Sequence, residues 1–137
     1  MKTTNYINTF IEVAEDCPVT AGEVPPVKGD KKTVANLQFE MVHAQPYKYT
    51  SDEVFFTVHA IRKDLTHAEL DAAREQFFSK GQPCFRASPL TKRYGWGVHS
   101  DADGRVALYG VGSDAYEAWV ADAKVEKVKA MRSRRAK

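Results

Sequence analysis

The spacing of apolar positions divides the chain into segments of different character. Residues 6–14 are rich in β-branched and aromatic side chains (Tyr6, Ile7, Thr9, Phe10, Ile11, Val13), which predicts a strand that Asp16-Cys17-Pro18 ends. Residues 18–32 carry Pro18, Gly22, Pro25, Pro26 and Gly29 and follow neither a helical nor a strand period, so a long loop is expected there. Connections of that length wrap a surface or act as binding loops and lids. Wrapping is the simpler expectation, because this loop holds Glu23, Lys28, Asp30, Lys31 and Lys32 but no residue poised for catalysis.

Val34, Leu37 and Met41, with Phe39 and Val42, leave an apolar stripe that predicts a helix over 33–43, barred from continuing by Pro46. Thr50-Ser51-Asp52-Glu53 has the capping-box spacing, and Val54, Val58, Ile61 and Leu65 recur at helical intervals behind it. Val54-Phe55-Phe56-Thr57-Val58 also reads as a strand, so residues 51–63 satisfy two periods and the cap favours the helix. Thr66-His67-Ala68-Glu69 repeats the box, and Leu70, Ala73, Phe77 and Phe78 follow until Gly81 and Pro83.

After Pro83 the pattern turns extended: residues 84–88, 94–99 and 105–111 read as strands, the last two joined by Asp101-Ala102-Asp103-Gly104 as a hairpin. A loop of two or four residues places Tyr94, Trp96 and Val98 on one face with Ala107, Tyr109 and Val111. The other face then holds Gly95, Gly97, His99, Val106, Leu108 and Gly110, a shallow floor that a helix, a backbone or a ligand can approach closely. Ser113 caps a short helix with Tyr116, Trp119 and Val120 inward. The predicted fold is α+β: a small antiparallel sheet, made of the N-terminal strand and the C-terminal strands with their hairpin, packed against three or four helices.

Composition narrows the class without naming a function. At 137 residues, 43% hydrophobic and 28% charged, the chain fits one globular domain over 1–137 rather than a disordered or membrane protein. No signal-like or membrane-spanning run is seen and only Cys17 and Cys84 are present, so a cytoplasmic protein with reduced thiols is expected. The net charge of +2 is uneven: residues 122–137 hold seven Lys/Arg against two Asp/Glu. That basic segment suits an anionic surface or a nucleic acid, or is simply a solvated terminus, disordered at its end.

Candidate chemistry is sparse. Arg86, Lys92, Arg93, Tyr94, Trp96, His99 and Tyr109 gather cations beside aromatics, as binding a nucleotide or single strand requires, with charge for phosphate and a π face for stacking. The plainer alternative makes the aromatics core and the cations its solvated rim. On a strand, Cys84, Arg86 and Ser88 would share a face, and a thiol beside a guanidinium is a candidate nucleophile, although cysteine is more often simply buried. His43, His59, His67 and His99 lack metal-ligand spacing, Gly95-Trp96-Gly97 is no phosphate loop, and the acidic positions of a calcium loop fail after Asp101-Ala102-Asp103-Gly104. No metal or cofactor is expected.

The segments MKTTNY at the N-terminus, PPVKGDKKT over 25–33, PCFRASP over 83–89 and KRYGWG over 92–97 resemble a family of small uncharacterised microbial proteins, a domain of unknown function. The resemblance covers nearly the whole chain and implies a single domain, with no activity, cofactor or catalytic residue attached. The leading expectation is therefore a non-catalytic binding domain for an anionic small molecule or nucleic acid, using Arg86, Lys92, Arg93, Tyr94, Trp96 and Tyr109. The alternatives are a small enzyme with a pocket between the 18–32 loop and the glycine-lined face, near Cys84, Arg86 and His99, and an interaction module or homodimer.

Overall fold

Side-chain caps fix where the helices begin. The computed structural model describes residues 1–134, and in it Thr33 Oγ1 accepts from the Asn36 amide while Asn36 Oδ1 accepts from the Thr33 amide, opening α1 (Val34–Ala44). Thr50 and Glu53 close the same reciprocal pair at the start of α2 (Ser51–Arg62), which settles residues 51–63 as helix. The i to i−4 hydrogen bonds Val54 N to Thr50 O and Lys63 N to His59 O close the helical ladder at its two ends and decide for the helical period over the strand one. Thr66 and Glu69 cap a single 3₁₀ turn that leads into α3 (Leu70–Phe77).

The expected strand over 84–88 is not formed. Phe85–Ala87 make a 3₁₀ turn, after which Ser88 Oγ accepts from the Leu90 amide and Pro89 occupies the first position of the short helix α4 (Pro89–Lys92). The Ser-Pro start signal outweighs the strand propensity of Cys84 and Phe85. Cys84, Arg86 and Ser88 therefore do not share a strand face.

Four strands form one mixed sheet among the described residues: β1 (Thr9–Glu12), β2 (Trp96–Ser100), β3 (Val106–Gly110) and β4 (Glu126–Lys129), in the order β3-β2-β1-β4. β1 runs antiparallel to β2 and parallel to β4. The helix α5 (Asp114–Ala121) connects β3 to β4. The fold is thus α+β, and the sheet is mixed rather than wholly antiparallel because β4, with its polar sequence Glu-Lys-Val-Lys, joins the outer side of β1. Among the described residues no helix is long and apolar enough to cross a membrane.

Register decides the two faces. The hairpin loop has three residues, Ala102 to Gly104, between Asp101 and Arg105: Gly104 donates to the Asp101 carbonyl and takes φ +77°, and the Asp101 amide donates to Arg105 O. Trp96 consequently pairs with Gly110 and Val98 with Leu108, whereas Gly97 pairs with Tyr109 and His99 with Ala107. The expected grouping of Tyr94, Trp96 and Val98 with Tyr109 is corrected by this one residue, since a slip of one reverses every side chain. On one face Ile11, Val98 and Val106 join Ala35, Phe39, Val42, Val54 and Val58 of α1 and α2 in the main core. On the other, Phe10, Tyr116 and Val125 form a smaller core under α5.

The 18–32 loop wraps over the ends of β2 and β3. Its Glu23 amide donates to Tyr94 O, Trp96 Nε1 donates to Glu23 O, and Asn36 Nδ2 holds Pro25 O. A Cβ at Gly95 would sit 2.5 Å from Ala21 O and one at Gly97 2.5 Å from Phe10 Cζ, so the glycines are met by this loop and by the α5 core. The pocket expected between the loop and a glycine-lined face is filled with protein.

Candidate functional site

The residues grouped by sequence separate in space. Trp96 lies against Phe39 at 5.5 Å between ring centroids and against His43 at 5.8 Å, with Gly22 laid over its outer edge. Stacking a base on that indole would require the loop to lift away. Lys92 and Arg93 end α4, Tyr94 packs against the main core, and Arg86 Nε donates to Lys129 O at the far edge of the sheet. The basic C-terminal segment is folded as far as it is described. β4 belongs to the sheet, Arg132 reaches Glu15 at 3.3 Å, and the Ser133 and Arg134 amides donate to Asp16. Residues 135–137 lie outside the described residues.

Tyr109 and His99 meet on the α5 face. The Tyr47 hydroxyl stands 2.9 Å from His99 Nδ1 and 2.7 Å from the Tyr109 hydroxyl, held there by a left-handed backbone at Tyr47 (φ 60°). Trp119 stacks on the His99 ring with centroids 3.7 Å apart. Burial lowers the His99 pKa against the opposing pull of Asp101 and Asp122, and burial with the Tyr109 hydroxyl raises that of Tyr47. The network ties the 47–50 segment to β2 and β3 and lies beneath Trp119 of α5. Cys84 is in the opposite layer with Phe85, so Cys84, Arg86 and His99 do not form one site.

Cys84 instead lines a cleft of about 370 Å³ between α1, α2, the end of α3 and the 82–89 segment. That volume falls in the range of small-molecule sites rather than of packing defects. Val34, Phe55, Val58, Phe77, Pro83 and Pro89 make its walls apolar. Gln38 of α1 forms part of its lining although the residue is only 1% exposed. The Gln38 Oε1 accepts from Ser88 Oγ at 2.6 Å, while Nε2 has no partner among the described residues. No fully enclosed side-chain polar atom there lacks a partner, so the free end of this amide must reach open space, and the space that Gln38 borders is the cleft.

Three basic side chains lie around the same cleft at the end of α2, His59 and Arg62 on its last turn and Lys63 just after it. Arg62 and Lys63 are exposed and pair with no carboxylate among the described residues. His59 leans on Phe77 with centroids 4.7 Å apart, and burial, reinforced by Lys63, holds its pKa below the ordinary value. Cys84 Sγ is 3.5 Å from the Tyr6 hydroxyl, whose pKa is raised by burial and by that contact. The sequence reading missed Gln38, His59, Arg62 and Lys63. No signal in the sequence set Gln38 apart, since a polar residue one turn from Val34 within an apolar stripe is ordinary.

A family model described as a family of unknown function (DUF6157) matches residues 1–136. The chain belongs to that family. The match takes in every element that builds the cleft and the tyrosine–histidine network on the opposite face. No curated protein and no solved structure matches the chain.

Proposed function

We propose that the protein binds a small anionic molecule with an apolar body in the cleft between α1, α2 and the 82–89 segment. The observation that carries this reading is the make-up of the cleft: apolar walls, the cations Arg62 and Lys63 in its lining, and Gln38, whose Oε1 is held by Ser88 and whose Nε2 is left as a donor for a ligand carbonyl or carboxylate oxygen. Apolar walls with few polar groups suit a hydrocarbon or aromatic body, and the unpaired Arg62 and Lys63 suit a negative charge at the mouth. A nucleic acid finds less support, because Trp96 and Tyr109 occupy opposite faces of the sheet and Trp96 is engaged by the loop.

The test is a ¹⁵N-resolved NMR titration with octanoate, benzoate and the neutral octanol. Saturable shifts of the Gln38 side-chain amide and of the Phe55 and Cys84 backbone amides, stronger for the carboxylates than for octanol, are the expected result. Arg62→Ala/Lys63→Ala should abolish the carboxylate preference, and Gln38→Leu, close in volume, should weaken all three ligands. Shifts confined to exposed lysines, or equal for octanol and octanoate, would refute the reading.

A further inference from the structure

We infer that the cleft is one half of a longer site, whose ligand is a single-chain amphiphile with a head made of a phosphate followed by an ammonium group. The inference rests on the binding reading above and names the head-group chemistry of that ligand. Arg62 borders two cavities at once, the apolar cleft and a second one of about 600 Å³ formed by the end of the 18–32 loop, Leu37 of α1 and the end of α2. The two spaces therefore adjoin at this residue, and a molecule too long for the cleft can continue past it.

The second cavity has a different lining. Asp30 and Lys31 of the loop, with Arg62 and Asp64 at the end of α2, put two positive and two negative side chains around it, all exposed. Opposite charges that share a surface can neutralise each other, as Lys32 and Glu40 do at 2.7 Å. These four do not: none of them makes a salt bridge among the described residues. A ligand of one sign would leave half of this lining facing its own charge. A head holding both signs matches all of it, with the phosphate at Arg62 and Lys31, where the guanidinium fork suits its oxygens, and the ammonium at Asp30 and Asp64. Ile61, large, apolar and 53% exposed, borders the same cavity, and the methylenes between phosphate and ammonium would cover it. The chain then runs from Arg62 back between Phe55, Val58 and Phe77 of the cleft.

The experiment titrates the full chain, followed by ¹⁵N-resolved NMR, with octyl phosphoethanolamine and octyl phosphocholine below the onset of micelle formation. The two esters share chain, phosphate and net charge and differ only in the N–H donors of the ammonium. Both should shift the Phe55 amide of the cleft and the Lys31 and Asp64 amides of the second cavity together. The ethanolamine ester should bind tighter by about threefold to fivefold, the weight of one exposed charge contact. Asp30→Asn/Asp64→Asn should erase that difference; asparagine keeps the left-handed backbone of Asp64 (φ 53°) and removes only the charge. Lys31→Ala should weaken both esters and leave octanol unchanged. Phosphoethanolamine without a chain should bind far more weakly than its octyl ester. Equal affinity for the two esters, a difference that survives Asp30→Asn/Asp64→Asn, or chainless phosphoethanolamine binding as tightly as the octyl ester overturns the inference. If one of these occurs while octanoate still saturates the cleft, only the head-group assignment fails. If neither octanoate nor the esters saturate the Phe55 shift, the binding reading fails and this inference with it.

Discussion

A methyl group added at Gly97 would sit 2.5 Å from Phe10 Cζ and 2.7 Å from Tyr116 Cε2, inside the edge-to-face pair that those two rings make at 5.0 Å. The rings are the centre of the smaller core and have no free side to yield into, so Gly97→Ala should cost about 1–3 kcal/mol in a urea denaturation series. Asp52 is another residue whose role is structural. Nearly fully buried at the first turn of α2, it accepts from Thr3 Oγ1, the Thr4 amide and Thr4 Oγ1, at 2.6, 2.6 and 2.7 Å. Asp52→Ala leaves those donors unmatched and should destabilise the fold by about 2–3 kcal/mol. The sequence made the glycines visible as points of close approach but placed Gly95, Gly97 and Gly110 with His99, Val106 and Leu108 on one face, whereas the register pairs Gly110 with Trp96, Leu108 with Val98 and Val106 with Ser100, on the face opposite Gly97 and His99. It could not tell that Phe10 and Tyr116 were the approaching groups, because that depends on which strand lies beside which. Gln38 was silent for a similar reason: a glutamine within a stripe is ordinary until the stripe is seen to border a cleft.

At the scale of elements, local chemistry that closes on itself was legible and chemistry that needs a distant partner was not. The capping pairs at Thr50 and Thr66 are complete within four residues, so those helix starts followed from sequence, while the one at Thr33 followed from its apolar stripe and its cap from Asn36 was seen only in the structure. β4 has one residue, Val128, that packs against the main core, and its strand exists because β1 offers a free edge. The hairpin lies between these cases. Asp-Gly marked the turn, but a three-residue loop instead of two or four set the register and with it the location of Trp96 and Tyr109. Gly104, at φ +77°, carries that choice. Gly104→Ala should cost about 1–2 kcal/mol by chemical denaturation, the penalty of a side chain in the left-handed region.

Two of the four imidazoles of the whole molecule, His59 in the cleft and His99 under α5, have pKa values that burial lowers from the ordinary 6.5. The unfolded chain then binds more protons than the folded one at pH values between the lowered and ordinary pKa, so stability rises with pH across that window. It is fully present above about 6.5 and is lost as pH falls toward the folded values. Thermal melts should show Tm dropping between pH 7 and pH 5, and a His59→Gln/His99→Gln double variant should show a shallower drop over the same interval. The α+β class and the surface wrapping of the 18–32 loop were readable at this scale. The division of the candidate residues between two layers was not, because it arises only when the sheet assembles.

That assembly has a direction imposed by the ribosome. β1 sits between β2 and β4, so both of its hydrogen-bonding neighbours are made long after it, with α1 to α4 in between. During synthesis the Phe10–Ile11 segment leaves the exit tunnel with nothing to pair with, while α1 and α2, capped by their own neighbours, can already coil. A nascent chain stalled before residue 126 would hold β1 with one bare flank, an adhesive edge open to any other extended peptide. β4 is therefore a seal as well as a support: by pairing beside β1 it closes that edge, and translation past it becomes part of keeping the protein from sticking to itself.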